Sequence, residues 1–595
     1  CHRFSAAGGL AVGFWPEGWR GESDQSDVLK GTAAIRSGRL RLQNAYGSEL
    51  LALPVPVLVE YYDTATSSGW RTGADTCTTL ASADGFEPPC NPHLAQDAWS
   101  ASHRGNFAQA SSPLPGVTTP ERVNIDHTAI TAVPVVLSFS DRDSQGRQAV
   151  WASTVGVTGE IVKLDGDGMG LVGRFKPDGV STISTSGAYN LLDRDQHLIV
   201  GQSDALQIFG DSEVGNRHSG INRLQNFVLP AEARCGTRQD ELVGITMLPD
   251  GHVAFATKFG MVGVVPRQPE AMCAASLKVF SINGDACNDS SIPDSALEQV
   301  SNSIAADETS AIYVVTSSAQ HRINWDGQQL RSAWRAAYAG AGGTGSGRLG
   351  SGSGSTPTLM GQPGSRDRFV VITDGQPLIH LVLMWQNDIP VDWQPIKAGR
   401  DRRIACEVPV NFGNDSATES LSEQSVLVRG HASVVVNNQL PLNQLLSVIP
   451  AQAQPLTQLL SGFSFNRPQG LERIDWDPAT RTCKKVWANS EISLPNGIPS
   501  LSSSTGQIFG IGSRTINGLD TWTLESLDFK TGKSRYFIPS TPYPTDNSTY
   551  AATTIGPGNS VWTGTFGGIT RYQNCSASGD CGRRTTLPTQ HLPAP

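Results

Sequence analysis

The chain has 595 residues, a net charge of −9, 17% charged residues and 62 glycines. That length exceeds what one ordinary core serves, so several domains or one large repeat array is expected. No Lys/Arg run is present to neutralise phosphates, which argues against nucleic acid as a partner, and no apolar run reaches the ~18 residues of a transmembrane segment.

The chain opens on Cys1. A cysteine there fits a lipid anchor attached after signal removal, or a sequence that simply starts at that point. Ten cysteines occur: Cys1, Cys77, Cys90, Cys235, Cys273, Cys287, Cys406, Cys483, Cys575 and Cys581. None forms a Cys-x-x-Cys pair, so zinc ribbons and thioredoxin-like chemistry are not indicated. Cys77 with Cys90, and Cys575 with Cys581, lie close together in loop-like sequence and read as disulfides of an oxidising compartment. Connectivity stays open.

Residues 1–95 read as a small β-sandwich-like segment. Arg39-Leu-Arg-Leu42 alternates, Asn44-Ala-Tyr-Gly47 is a turn, and Leu51 to Tyr62 is extended, with Pro54 and Pro56 pushing it toward a sheet edge. The run Gly38 to Leu50, with Leu53-Pro-Val-Pro56 and Asp75-Thr-Cys-Thr-Thr79, resembles a domain of unknown function in secreted proteins of the mannose-sensitive haemagglutinin pilus type. The resemblance covers residues 38–79 and implies a cell-surface setting for that part. Residues 96–122 read as a connector and 576–595 as a tail.

From residue 123 to 575 a phrase of apolar strands and Asp, Gly, Pro or Ser turns repeats. One copy runs from Leu242 through Pro249-Asp-Gly251 to Lys258, another from Ser303 to Thr316. About eight such units of roughly 55–60 residues can be traced, each long enough for four strands. The expected fold is therefore all-β: a large propeller of about eight blades, or seven or six if units are merged insertions. The last unit has three strands, so ring closure requires a strand from the N-terminal side, placed near Phe107.

Two insertions interrupt the repeat. Gly340–Gly354 is nearly pure Gly, Ser, Thr and Ala and reads as a flexible linker; it lacks the Gly-Lys-Ser/Thr end of a phosphate loop. Leu440–Phe465 is apolar and Gln-rich, with Leu442-Asn-Gln-Leu-Leu446 and Leu456-Thr-Gln-Leu-Leu460 as short amphipathic helices forming a lid or packing patch.

In a propeller the residue before each innermost strand faces the channel mouth. That position gives Glu241, Asn302, Thr356, Gln424, Asn496 and Tyr550 as ligand-binding candidates, with Ser186 beside them. Glu241, Asn302 and Asn496 offer oxygens for a hard cation such as Ca²⁺, and the same ring also suits a water-filled channel. Pro495-Asn-Gly-Ile498 resembles an element of the gluconolactonase and strictosidine synthase propellers, which implies a metal-site or channel role for Asn496. Those propellers have about six blades.

Asp165-Gly-Asp-Gly168 lacks the further oxygens of a calcium loop and reads as a hairpin turn. His103, His127, His252, His321 and His380 are scattered, so no zinc site is legible, and no Gly-x-Ser-x-Gly elbow occurs. Trp151, Trp325, Trp385, Trp476, Trp522 and Trp562 read as inter-blade packing, or as an aromatic platform for a carbohydrate or quinone. The expected function is an exported or surface-attached binding, adhesion or assembly protein of a Gram-negative bacterium. Its location is periplasmic, outer-membrane or extracellular, and its partner a protein or glycan at the cell surface. The alternatives are a Ca²⁺-dependent lactonase or esterase working in the channel, and a quinone-dependent dehydrogenase.

Overall fold

The computed structural model describes residues 111–155, 159–177, 186–340, 348, 350–362, 364–442 and 454–575, together with the upstream strands at 3–5, 38–42, 57–62, 70–72 and 79–81. The chain divides into two compact units, Cys1–Pro89 and Cys90–Pro595. In the first, Gly38–Leu42, Val57–Tyr62 and Trp70–Thr72 form an antiparallel sheet, and Arg3–Ser5 pairs in parallel with Thr79–Ala81. The long strand starts directly after Pro56, where the last proline that cannot donate to a ladder has passed. Cys1, Cys77, Cys90, Phe107 and Cys581 lie outside the described residues.

The second unit is a β-propeller of eight sheets. The inner strands contributed by the successive repeats, from blade 1 to blade 8, are Val133–Phe139, Asn190–Leu192, Leu242–Met247, Ala305–Ala306, Thr358–Met360, Leu427–Arg429, Ser500–Ser502 and Thr554–Gly556. Second strands are apolar on both faces and buried throughout: Ala311–Val315, Phe369–Thr373 and Ala432–Val436 are examples. A strand covered on both sides needs no alternation. Outer strands do alternate, as Ile221–Val228 shows, because one face meets solvent.

Ring closure is visible in the packing. Each pair of consecutive blades traps its own apolar cluster, and this includes the last pair: Trp562 and Ile569 of blade 8 pack on Leu137, Val150 and Val162 of blade 1. Gly244 of blade 3 is needed for such an approach; a Cβ there would stand 2.8 Å from the Cα of Ser303 in blade 4. The outer strand of blade 8 is Val123–Ala129, paired antiparallel with Gly568–Asn574. The closing strand thus comes from the N-terminal side, but at 123–129 rather than near Phe107. Arg571 stands opposite Asp126 in that register, and its Nη2 and Nε both donate to Asp126 Oδ2, at 2.6 and 3.1 Å.

A shorter strand precedes it. Ser111–Ser112 runs parallel to Ser500–Ser502 and becomes the innermost strand of blade 7. Between these two strands, Val117 is buried in the cluster that blades 7 and 8 share, and its carbonyl accepts from the Tyr536 hydroxyl. The chain therefore passes from the inside of the ring to its rim between blades 7 and 8.

All six singled-out tryptophans are buried, so they pack blades together. Trp385, Trp393 and Trp476 gather edge-to-face with Phe369 between blades 5 and 6. Two disulfides join Cys235 to Cys287 and Cys406 to Cys483. Cys575 is also disulfide-bonded, and Cys273 is a free, exposed thiol.

Candidate functional site

The residues expected at the channel mouth sit on the segments that enter the innermost strands. Glu241 is half-buried directly before Leu242–Met247, and its carbonyl accepts from Lys258 N at 2.9 Å. Asn302 donates through Nδ2 to Ser301 Oγ and Ser353 O, both at 3.2 Å. Gln424 is 2% exposed, and both its amide atoms are buried without a hydrogen-bond partner among the described residues. Asn496 is buried and donates to Ser461 Oγ at 2.6 Å and Asn547 Oδ1 at 2.9 Å, while its own Oδ1 has no partner there. Ser186 instead bridges blades 2 and 3, donating to Leu242 O and accepting from Ser203 N.

Contacts link several of these positions. Asn302 of blade 4 holds Ser353, and the next residue, Gly354, packs against the Glu423 carboxylate so tightly that a side chain there would collide with it. Glu423 N donates to Asn438 Oδ1, and Asn438 Nδ2 donates to Pro495 O, which leads into Asn496. Tyr550 N donates to Asn496 O at 2.8 Å. Tyr189, at the entry to blade 2, lies near Thr356 of blade 5 and the main chain of Ser303 in blade 4. Burial raises its pKa, against the pull of those two partners.

The second insertion lies over part of this mouth. Its helix, Gln454–Leu459, brings Gln458 Nε2 to the Tyr550 hydroxyl at 3.1 Å, and the Gln458 carbonyl accepts from Asn547 Nδ2 at 2.7 Å. Ser461 bonds both Asn496 and Asn547. The insertion therefore acts as a cap over blades 7 and 8. Thr549 and Tyr550 both have positive φ, +25° and +57°. A β-branched residue rarely adopts that conformation, and Asn547 Oδ1, which accepts from Thr549 N at 3.0 Å, holds it there. Burial, with the negative Glu423 nearby, pushes the Tyr550 phenol well above its ordinary range.

The glycine-rich insertion also contributes. Arg348 is buried with its guanidinium 3.6 Å from Glu423 Oε1, and it donates to Gly352 O and Gln376 O. A linker reading of Gly340–Gly354 leaves out this docked arginine. Arg348, Glu423, Tyr189, Gln458 and Asn547 were not legible as site residues. Glu423 neighbours a predicted position, but nothing in a Gly/Ser run signals that its one arginine is a buried partner.

The arrangement defines an eight-bladed propeller with a polar, partly capped mouth. The chain belongs to one family with a protein of Archaeoglobus fulgidus that bears the name "Uncharacterized protein": the two are 42% identical over 488 residues, 82% of this chain and 89% of the relative. Residues 36–156 match the model described as "DUF6701, fourth domain". Among solved structures, a quinohemoprotein alcohol dehydrogenase of Pseudomonas putida HK5 aligns with a TM-score of 0.47 and 12% identity, over 80% of each chain. The periplasmic gluconolactonase of Pseudomonas aeruginosa aligns with a TM-score of 0.34 and 12% identity, over 76% of this chain and 96% of that one. These structures are likenesses of fold and carry no functional argument.

Proposed function

We propose that this chain is an exported binding protein whose channel mouth takes an uncharged, hydroxyl-rich ligand such as the end of a surface glycan. The observation that carries the reading is Gln424: a deeply buried amide whose donor and acceptor are both unspent among the described residues. Leaving such a group without a partner costs about 1–3 kcal/mol, so a ligand that satisfies it gains that much. Asn496 Oδ1 and the Ser548 hydroxyl are buried in the same condition. Amides and hydroxyls both give and accept, which suits sugar hydroxyls. Of the charged groups nearby, Arg348 and Glu423 face each other and offset each other's charge.

The exported setting is supported by the DUF6701 match and by disulfides that join distant residues. The relative comes from an archaeon, so the proposal is not tied to a Gram-negative envelope. The test is an oligosaccharide array probed with the wild-type protein and with Gln424→Met, which keeps volume and removes both polar atoms. Saccharide binding that falls about tenfold in the variant is expected, the factor that ~1.4 kcal/mol represents. A wild-type protein that binds no saccharide, or a variant that binds equally well, would sink the reading.

A further inference from the structure

Blade 5 carries a second group of polar residues that none of the channel argument uses. Asp374 follows the second strand, Phe369–Thr373. His380 opens the third, His380–Trp385, and Glu407 lies on the outer strand, Ile404–Pro409. One ligand atom from each, two carboxylate oxygens and an imidazole nitrogen, falls within 4.8 Å of the other two. Asp374 is fully buried; His380 and Glu407 are partly so.

The turn between the strands fixes this geometry. His380 N donates to Asp374 Oδ1 at 2.9 Å, and Asp374 N donates to His380 O at 3.0 Å. Gln376 Nε2 stands among all three ligand atoms: 2.6 Å from Asp374 Oδ2, 2.8 Å from His380 Nδ1 and 3.3 Å from Glu407 Oε1. An amide has two hydrogens, so it cannot serve three acceptors at once. The position it fills is a point of electron-pair surplus.

Charge points the same way. Arg400 forks Glu407 at 2.6 and 2.7 Å and neutralises it. Arg400 acts on Asp374 only from farther off, and the ion-pair partner in contact with Asp374 among the described residues is His380, at 3.3 Å, and only when that ring is protonated. A buried carboxylate with no permanent counter-charge in contact is costly, and a dication lowers the cost.

We infer that Asp374, His380 and Glu407 form a binding site for a divalent first-row transition ion, Zn²⁺ or a close congener, with the Gln376 amide displaced on binding. One imidazole and two carboxylates make a three-ligand set that leaves a fourth position to water. Calcium fits poorly, since it takes six to eight oxygens. Its place on the same turn whose Gln376 carbonyl holds Arg348 puts the ion beside the mouth, so occupancy stiffens the wall on which Arg348 and Glu423 meet.

The test is calorimetric titration of chelator-stripped protein with Zn²⁺ and, separately, with Ca²⁺. Wild type is expected to take one equivalent of zinc that His380→Ala loses or binds at least tenfold more weakly. Gln376→Ala, which removes the competing amide and no ligand, is expected to bind zinc at least as tightly as wild type. Thermal melting of each variant shows whether it is folded. The site is overturned if wild type has no stoichiometric zinc, if folded His380→Ala keeps it, or if folded Gln376→Ala loses it. A calcium affinity equal to that for zinc overturns the choice of ion.

Discussion

Cys406 and Cys483 tie the outer strand of blade 5 to the outer strand of blade 6, across a sequence separation of 77 residues. The bond clamps the rim directly outside the aromatic cluster of Trp385, Trp393 and Trp476. Closing a loop of that length removes denatured-state entropy worth about 4.5 kcal/mol in the chain-entropy account. Cys406→Ser with Cys483→Ser is expected to lower the urea midpoint relative to wild type. A double variant that unfolds at the wild-type midpoint would mean the rim is held by packing alone.

Trp476→Ala is expected to cost about 4 kcal/mol. The indole contacts three other aromatic rings, and its Nε1 donates to Asp367 Oδ2 at 2.9 Å. Truncation opens a cavity and strands a buried carboxylate. Equilibrium unfolding reads the loss, and Trp476→Phe should recover part of it by refilling the cavity.

Glu298 gives the molecule an acid-sensitive point. Burial raises its pKa, but hydrogen bonds from His321, Thr316 and Arg335 outweigh this and bring it down to about 2. A depressed carboxylate stabilises the fold at pH above its unfolded value, near 4.3, and the benefit drains away as pH falls toward 2. Because the group is partly exposed, screening leaves about 1–2 kcal/mol of effect. Melting temperature followed from pH 5 to pH 2 should fall less steeply in Glu298→Gln than in wild type. Parallel profiles would place the acid sensitivity elsewhere.

Arg571 is expected to matter more than the carboxylate it faces. Besides binding Asp126, it donates to the carbonyls of Gly166 and Asp167 in blade 1 and lies over the Trp562 ring. Arg571→Ala therefore strips the seam between blades 8 and 1 and should cost about 3 kcal/mol. Asp126→Asn keeps an acceptor on a partly exposed residue and should cost about 1 kcal/mol. Denaturant midpoints that rank the two the other way round would remove Arg571 as the seam's anchor.

The repeat was legible because it is local. Each blade writes its own strands and turns, so Leu242–Met247 or Ala432–Val436 can be read from a dozen residues. What was not legible depends on contacts between distant parts of the chain. Val123–Ala129 looks like any short strand until Gly568–Asn574 is placed beside it. The disulfide partners Cys235 and Cys287 stand in connectors on either side of blade 3, where spacing carries no signal. His380 reads as an isolated histidine because its companions lie on other strands of its blade, and strand order, not sequence distance, brings Glu407 to it. At the mouth, the entry positions could be predicted from the repeat, but the cap that reaches Asn496 and Tyr550 comes from an insertion outside it.

The strand that finishes the propeller has a consequence for how the molecule is made. Val123–Ala129 leaves the ribosome hundreds of residues before its partner Gly568–Asn574 exists. Throughout that interval it is a strand with both edges unpaired, and the growing array of blades lacks a matching rim. Contacts this remote in sequence form slowly. The half-threaded segment Ser111–Ser112 must also be seated before blades 7 and 8 close on Val117, or the ring would have to reopen to admit it. Closure of the propeller is therefore a late assembly step, and the nascent chain is at its most vulnerable to pairing with a neighbour just before blade 8 arrives.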